Sequence, residues 1–131
     1  MRIVMDGVTY NLRVKFDTLG RSFRIPDGDN AGDMLSGLYE RDIKGTYYDY
    51  TMKVDPEPGP GGAADYDAFF EAISAPVDSH SITVPYGQGA ITFDAMVTGG
   101  QDLFRGRVGQ RQRWKGLQVQ FTAIKPQREP T

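Results

Sequence analysis

Residues 114–124 have the sequence WKGLQVQFTAI, and this stretch decides the fold class. Every second residue is apolar over most of its length, and these residues are Leu117, Val119, Phe121 and Ala123. A period of two puts the four side chains on one face, so we predict a strand that buries that face. Pro126 ends the strand because proline has no backbone N–H to donate, and residues 127–131 are predicted to form a tail.

The same alternation recurs earlier in the chain. In residues 8–16 the apolar positions are Val8, Tyr10, Leu12, Val14 and Phe16. In residues 44–54 they are Tyr48, Tyr50, Met52 and Val54. Residues 81–98 predict a hairpin whose turn lies at residues 86–89. Asp6-Gly7 is a second turn signal, since glycine tolerates positive φ, and it folds the first residues of the chain back as a partner strand.

One helix is predicted, at residues 63–74, because its apolar residues recur at i, i+3, i+4 and i+7. These residues are Tyr66, Phe69, Phe70 and Ile73. The order of strands, one helix and then more strands predicts an α+β, mainly β fold. We expect residues 1–131 to form a single domain, an antiparallel β-sandwich or partial barrel with the helix flanking one opening. The lack of strand–helix–strand alternation argues against a parallel nucleotide-binding fold.

Two segments break the alternation, at residues 17–42 and 99–113. The first contains PDGDNAGD at residues 26–33, and the second is rich in Gly, Arg and Gln. We predict long loops or extended hairpin tips, which in a compact domain are often functional.

The composition excludes several classes of chemistry. The 131 residues include no cysteine, which rules out disulfides, thiolate metal sites and a cysteine nucleophile. We expect no signal peptide and no membrane span, because no apolar run approaches the ~20 residues that a spanning helix needs. The formal net charge of −2 divides unevenly, at −7 for residues 1–101 and +5 for residues 102–131. Opposite net charges in the two parts of the chain favour head-to-tail association of copies. The alternative is a basic loop beside an acidic loop on the surface of one copy, which would have the same charges.

Candidate catalytic groups are few. His80 is the one histidine, and we expect it at the edge of a strand rather than in a catalytic site. Asp27, Asp29 and Asp33 resemble part of a calcium loop, but Ala31 and Leu38 stand where further ligands are needed. Phosphate-loop, HExxH and GxSxG motifs are missing from the sequence. We therefore predict a non-enzymatic protein without a cofactor or metal.

The most concentrated charge lies in RGRVGQRQRWK, residues 105–115. Its candidate interface residues are Arg105, Arg107, Arg111, Arg113 and Trp114. Arginine and tryptophan are enriched at the centres of protein interfaces, so we predict a protein–protein contact. The alternative is a small single-stranded nucleic-acid-binding module, in which the arginines bind phosphates and Trp114 stacks on bases. The acidic pI of 5.3 weighs against that alternative.

Several of these segments together resemble a known family. The segments are IKGTYYDYTMKV, DYDAFFEAISAP, HSITVP, ITFDAMV and RWKGLQVQFTAIKPQR. They resemble short proteins encoded in prophage structural operons of Gram-positive bacteria, and the later half is similar to tail tube subunits and to the N-terminal domain of distal tail proteins. The resemblance implies a phage tail-tube-like fold and a structural role in the tail of the virion. It also implies synthesis in the bacterial host cytoplasm, assembly into homo-oligomeric rings of six subunits joined through their sheets, and contact with other phage tail proteins.

Overall fold

The computed structural model describes residues 2–35 and 37–130. Three residues lie outside the described residues. They are Met1 at the start of the predicted domain, Ser36 in the predicted 17–42 segment and Thr131 in the predicted tail. The described elements are β1 (Arg2–Met5), β2 (Val8–Val14), β3 (Gly20–Arg24), β4 (Gly32–Asp33), β5 (Tyr39–Glu40), β6 (Tyr47–Pro56), α1 (Gly62–Ile73), β7 (His80–Tyr86), β8 (Gly89–Met96), β9 (Gly100–Val108) and β10 (Arg111–Ala123).

Six antiparallel strands close into a barrel. The strands follow one another around it in the order β6, β2, β1, β7, β8 and β10, and β10 pairs with β6 over Leu117–Thr122 to complete the circle. The predicted mainly β, antiparallel fold with one helix is confirmed, and the barrel is closed rather than partial. Because the barrel is closed, each of these six strands has a partner strand on both sides, and few of their backbone N–H and C=O groups lack a hydrogen bond.

The apolar faces of these strands fill the barrel. All four alternating residues of β10 are buried, as the sequence predicts, and so are Tyr50, Met52 and Val54 of β6. Two predicted core residues of the first strand are not buried: Val8 is half exposed, and Phe16 is 91% exposed. Phe16 is exposed because β2 ends at Val14 and Asp17 then turns the chain away with a φ of 61°, whereas Val8 is the first residue of β2.

Helix α1 packs against the barrel through one face. Tyr66, Phe69 and Ile73 are buried, and the Phe69 ring lies edge-on to Tyr10 with centroids 5.3 Å apart. Phe70, predicted to belong to the same stripe, is 37% exposed because it lies at the edge of this face. The helix begins where Gly62 passes close to the backbone of Glu57, so close that a Cβ atom on Gly62 would lie 1.8 Å from the Glu57 carbonyl oxygen.

The segment 17–42, predicted as a long loop or an extended hairpin tip, contains paired strands of an extended hairpin. Residues Gly20–Arg24 form β3, which pairs with Tyr47–Thr51 of β6. Beyond β3 the hairpin continues as a two-stranded ribbon, with bridges joining Asp27 to Ile43 and Gly32 to Glu40. We call residues 26–44 the acidic ribbon, since they hold five acidic and two basic residues.

The segment 99–113 lies in the second long hairpin. Strands β9 and β10 pair as far out as Val108 and Arg111, while β10 meets β6 only from Leu117 onward. Residues 103–115 therefore project as two strands without a third. We call them the basic ribbon, because they hold five basic residues and no acidic one.

The predicted tail is shorter than expected. After Pro126, Arg128 forms a bridge with Thr46, and the Gln127 side chain accepts a 2.7 Å hydrogen bond from the Tyr48 backbone N–H. These contacts fix the chain as far as Arg128 beside the base of the acidic ribbon.

Candidate assembly surface

A four-stranded sheet on one side of the barrel carries both ribbons. Its order is β3-β6-β10-β9, and all three pairings are antiparallel. Strand β6 has β10 along one edge, and along the other it has first β3 and then β2. Strand β10 likewise shares one edge between β9 and β8. Strands β3 and β9 therefore form the two margins of this sheet, and in the described residues the outer edge of each is unpaired.

Strand β3 is fully exposed along its length and is held by polar contacts rather than by burial. The Arg24 guanidinium donates a 3.0 Å hydrogen bond to Asp49 and a 2.8 Å hydrogen bond to the Ala123 carbonyl. Asp49 is buried and accepts in turn from the Ala123 backbone N–H at 3.1 Å. This network ties β3 across β6 to the end of β10, so the margin is a fixed strand.

The pairing that forms the basic ribbon has two irregularities near its base. The pairing of β9 with β10 shifts register at Arg113/Trp114 and again between Lys115 and Gln118. Gly116 lies in the second shift with a φ of 69°, a conformation that glycine adopts readily, and its N–H donates to Asp55 Oδ1 at 2.7 Å. The base of the ribbon is therefore irregular in pairing and is hydrogen-bonded to β6.

A buried tyrosine fixes the same base to the helix. The Tyr66 hydroxyl donates a 2.9 Å hydrogen bond to Asp102 Oδ2, just before the ribbon begins. Burial, together with this hydrogen bond to a carboxylate, raises the pKa of Tyr66 far above its ordinary value. Tyr66 is therefore a neutral donor at every physiological pH.

The structure brings the five predicted interface residues together on the basic ribbon. Arg105 and Arg107 lie on β9, Arg111, Arg113 and Trp114 lie on β10, and all five are exposed. Among the residues that the structure describes, none of these four arginines takes part in a salt bridge.

Apolar neighbours that the sequence analysis missed accompany these arginines. Phe104 lies beside Trp114 with ring centroids 5.0 Å apart; Phe104 is 50% exposed and Trp114 is 39% exposed. Leu103 and Val108 are also exposed. A two-stranded ribbon is only marginally stable by itself. Neighbouring large apolar side chains exposed on such a ribbon are unusual for a monomer and indicate a contact surface.

A cleft of about 580 Å³ lies between the basic ribbon and the segment that connects β6 to α1. Its walls are Val108, Arg111, Trp114 and Lys115 from the ribbon, with Pro58 and Tyr66 opposite. This volume falls within the range of roughly 300–1,000 Å³ that is typical of binding pockets.

The acidic ribbon carries exposed apolar residues at its tip. Leu35 is fully exposed, and Met34, Leu38 and Tyr39 are each about half exposed or more. The turn is closed by a 2.6 Å hydrogen bond from the Met34 N–H to the Leu38 carbonyl.

The three aspartates considered as calcium ligands lie along this ribbon but do not converge. Asp27 accepts a 3.2 Å hydrogen bond from Arg41, so its carboxylate is paired with the guanidinium of a residue in the same ribbon. Over residues 2–35 and 37–130, no group of three or more histidine, aspartate or glutamate side chains could hold a metal ion.

His80 is the first residue of β7; it pairs with Ala95 of β8 and lies two residues before the pairing with β1 begins at Ile82. The imidazole is 5% exposed, and its Nδ1 lies 2.6 Å from Asp6 Oδ2. Burial raises the pKa of Asp6, but hydrogen bonds from His80 and from the Ser81 N–H, with the charge of His80, lower it more, so the net shift is downward. The pair pins the β1–β2 turn to β7.

No protein-family model matches the chain, and no curated protein matches it either. None of the described helices is both long and apolar enough to cross a membrane.

Proposed function

We propose that this protein is a non-enzymatic structural subunit of a phage or prophage tail, of the tube or distal-tail class, that assembles with copies of itself. The observation that carries the proposal is the four-stranded sheet whose marginal strands, β3 and β9, each have one edge without a partner strand in the part of the chain that the structure describes. Unpaired strand edges are templates for pairing with another chain, and proteins that remain monomeric usually block them.

The strand directions suit lateral assembly. Because β3, β6, β10 and β9 alternate in direction, β9 of one copy runs antiparallel to β3 of a neighbour placed beside it in the same orientation. Joining different edges of identical subunits is a heterologous contact, which closes a ring when the rotation permits. Each junction would continue the sheet from one copy to the next.

The exposed face of this sheet supports the same arrangement. It is rich in uncharged polar side chains, including Thr51, Gln101, Gln118 and Gln120, and Gln101 donates a 3.3 Å hydrogen bond to Gln118. In a ring, such a face would remain in contact with water and line a channel. The sequence resemblance to phage tail proteins supports this arrangement, and we propose on that basis that the assembled protein belongs to the virion tail and contacts other tail proteins.

The test is the molar mass of the protein by size-exclusion chromatography with light scattering, over a wide range of concentration. We expect oligomers in the wild type. Phe23→Lys puts a charge on β3, where Phe23 is 68% exposed, and should shift the population towards monomer. The control is Phe16→Lys, which changes an even more exposed phenylalanine outside β3 and should leave the mass unchanged. A wild-type monomer throughout, also when mixed with the products of neighbouring genes, would contradict the proposal.

The second candidate function is binding of single-stranded nucleic acid, and one observation favours it. The exposed Phe104 and Trp114 rings lie among arginines without ion pairs in the described residues, an arrangement suited to stacking on bases and contacting phosphates. Trp114 is the single tryptophan, so its fluorescence reports directly on this surface. Quenching by a single-stranded oligonucleotide at low salt, reversed by added salt, would support this candidate, and an unchanged spectrum would remove it.

A further inference from the structure

We propose that the tip of the acidic ribbon of one copy binds in the cleft beside the basic ribbon of a second copy. This inference rests on the self-assembly proposed above and names a second contact, distinct from the pairing of β3 with β9. Its participants are residues 33–35 and 37–40 of one copy and, in the other, the cleft that Val108, Arg111 and Trp114 help to form.

The two ribbons are complementary in charge. The acidic ribbon has a formal net charge of −3, and the basic ribbon has +5. Asp33 and Glu40 flank the apolar tip on the two paired strands β4 and β5. Five basic and three acidic residues line the cleft, which gives it a formal net charge of +2; the acidic ones are Asp55, Glu57 and Asp67, and Arg111, Arg113 and Lys115 are among the basic ones. Opposed charges of this kind steer association and fix its orientation.

The apolar surfaces are complementary as well. The tip presents Leu35 and Leu38, which pack on nothing within their own chain to any large extent, since they are among the most exposed apolar residues. The cleft offers the exposed side chains of Trp114 and Val108 in a space of about 580 Å³. An apolar centre surrounded by charged residues is the usual composition of a specific protein interface.

A single copy cannot make this contact with itself. The acidic ribbon continues from the Tyr47 end of β6, and the basic ribbon projects past Val54 near the other end. Those two positions are seven residues apart along one strand, which is ~23 Å at ~3.3 Å per residue, and the ribbons point in opposite directions. The occupant of the cleft must therefore come from another copy.

Because the two ribbons of one copy point in opposite directions, their contact also determines how copies are arranged in an assembly. A contact between opposite ends of identical subunits is also heterologous, and where its rotation does not close a ring it stacks copies along the strand direction. Pairing of β3 with β9 acts across the strands instead. Together the two contacts would join subunits sideways into rings and would join rings end to end into a tube.

Cysteine cross-linking tests the contact, because the natural chain has no cysteine. One preparation carries Leu35→Cys at the tip and a second carries Val108→Cys in the cleft wall; they are mixed and mildly oxidised. We expect a disulfide-linked dimer in the mixture, at least tenfold more abundant than in either preparation alone. Phe16→Cys mixed with Val108→Cys is the matched control, since Phe16 is equally exposed but lies outside the acidic ribbon.

Charge reversal makes the test specific to orientation. Arg111→Glu with Arg113→Glu, introduced beside Val108→Cys, should reduce the cross-link at least tenfold. Asp33→Lys with Glu40→Lys in the Leu35→Cys chain should restore it. The restoration cannot be explained by misfolding, because two damaged chains would not regain a specific contact.

The outcomes separate this inference from the proposed function. Oligomers by light scattering with no cross-link above the control would overturn the ribbon contact and leave the assembly proposal standing. A monomer without a cross-link would overturn both. Trp114 fluorescence that responds to an oligonucleotide but not to rising protein concentration would assign the cleft to nucleic acid and overturn the contact between copies.

Discussion

Replacing Tyr66 by phenylalanine removes one hydroxyl from the base of the basic ribbon. Tyr66 is 2% exposed, and its hydroxyl donates to the Asp102 carboxylate at 2.9 Å. Hydrogen bonds to charged groups contribute about 1.5–3 kcal/mol. Asp102 is only partly buried, so water replaces part of the lost interaction. We therefore expect Tyr66→Phe to lower the free energy of unfolding by about 1–2 kcal/mol, with no cavity because the ring remains.

Urea denaturation followed by circular dichroism measures this loss. With a slope of ~2 kcal/mol per molar urea, the midpoint should fall by ~0.5–1 M while the slope stays the same. Tyr39→Phe is the matched control, since the Tyr39 hydroxyl also faces an aspartate, Asp27, but at 3.5 Å on an exposed surface. That change should alter stability by less than ~0.5 kcal/mol.

The same substitution changes the alkaline limit of stability. The pKa of Tyr66 is raised in the folded protein, so above about pH 10 the unfolded chain loses a proton that the folded chain keeps. Stability contributed by this group is complete below that pH and declines as the pH rises further. In Tyr66→Phe the decline should be shallower. Equal midpoints and equal alkaline slopes for Tyr66→Phe and Tyr39→Phe would refute the assigned role of the Tyr66–Asp102 hydrogen bond.

Three further predictions concern the stability of the barrel, of the β1–β2 turn and of the start of α1. The pKa of Asp6 is lowered in the folded protein, so its contribution is present above about pH 4 and lost as the pH falls below that value; acid unfolding of Asp6→Asn should therefore be less steep than that of the wild type. Leu117→Ala creates a cavity at a fully buried position and should cost about 2–5 kcal/mol in urea denaturation, where a loss under 1 kcal/mol would disprove close packing there. Gly62→Ala should lower the thermal midpoint although alanine favours helices by about 1 kcal/mol, because its Cβ would collide with the Glu57 carbonyl; an increase would contradict the close approach.

The alternation of apolar residues predicted the barrel strands well, because burial on one face imposes a period of two. It predicted the inward residues of β10 and the central residues of β6 in this way. It could not predict β3, whose sequence GRSFR is exposed throughout and has no buried face to leave a pattern. That strand depends on Arg24 reaching Asp49 and Ala123, the second of which is 99 residues away in the sequence.

The candidate surface was predicted only in part for a similar reason. Clustered arginines and a tryptophan are visible in any sequence, so the basic segment could be found. The partners that position it could not, because Tyr66 meets Asp102 across 36 residues and His80 meets Asp6 across 74. The exposure of Leu103 and Val108 also depends on the absence of a third strand beside 103–115, which only the register of β10 with β6 reveals.

Electron cryomicroscopy of the wild-type protein at high concentration tests the central claim most directly. Lateral assembly requires β9 of each subunit to lie antiparallel to β3 of its neighbour, continuing the four-stranded sheet around a ring. A map in which both margins face solvent, or in which copies meet through surfaces other than these two strands, would contradict it.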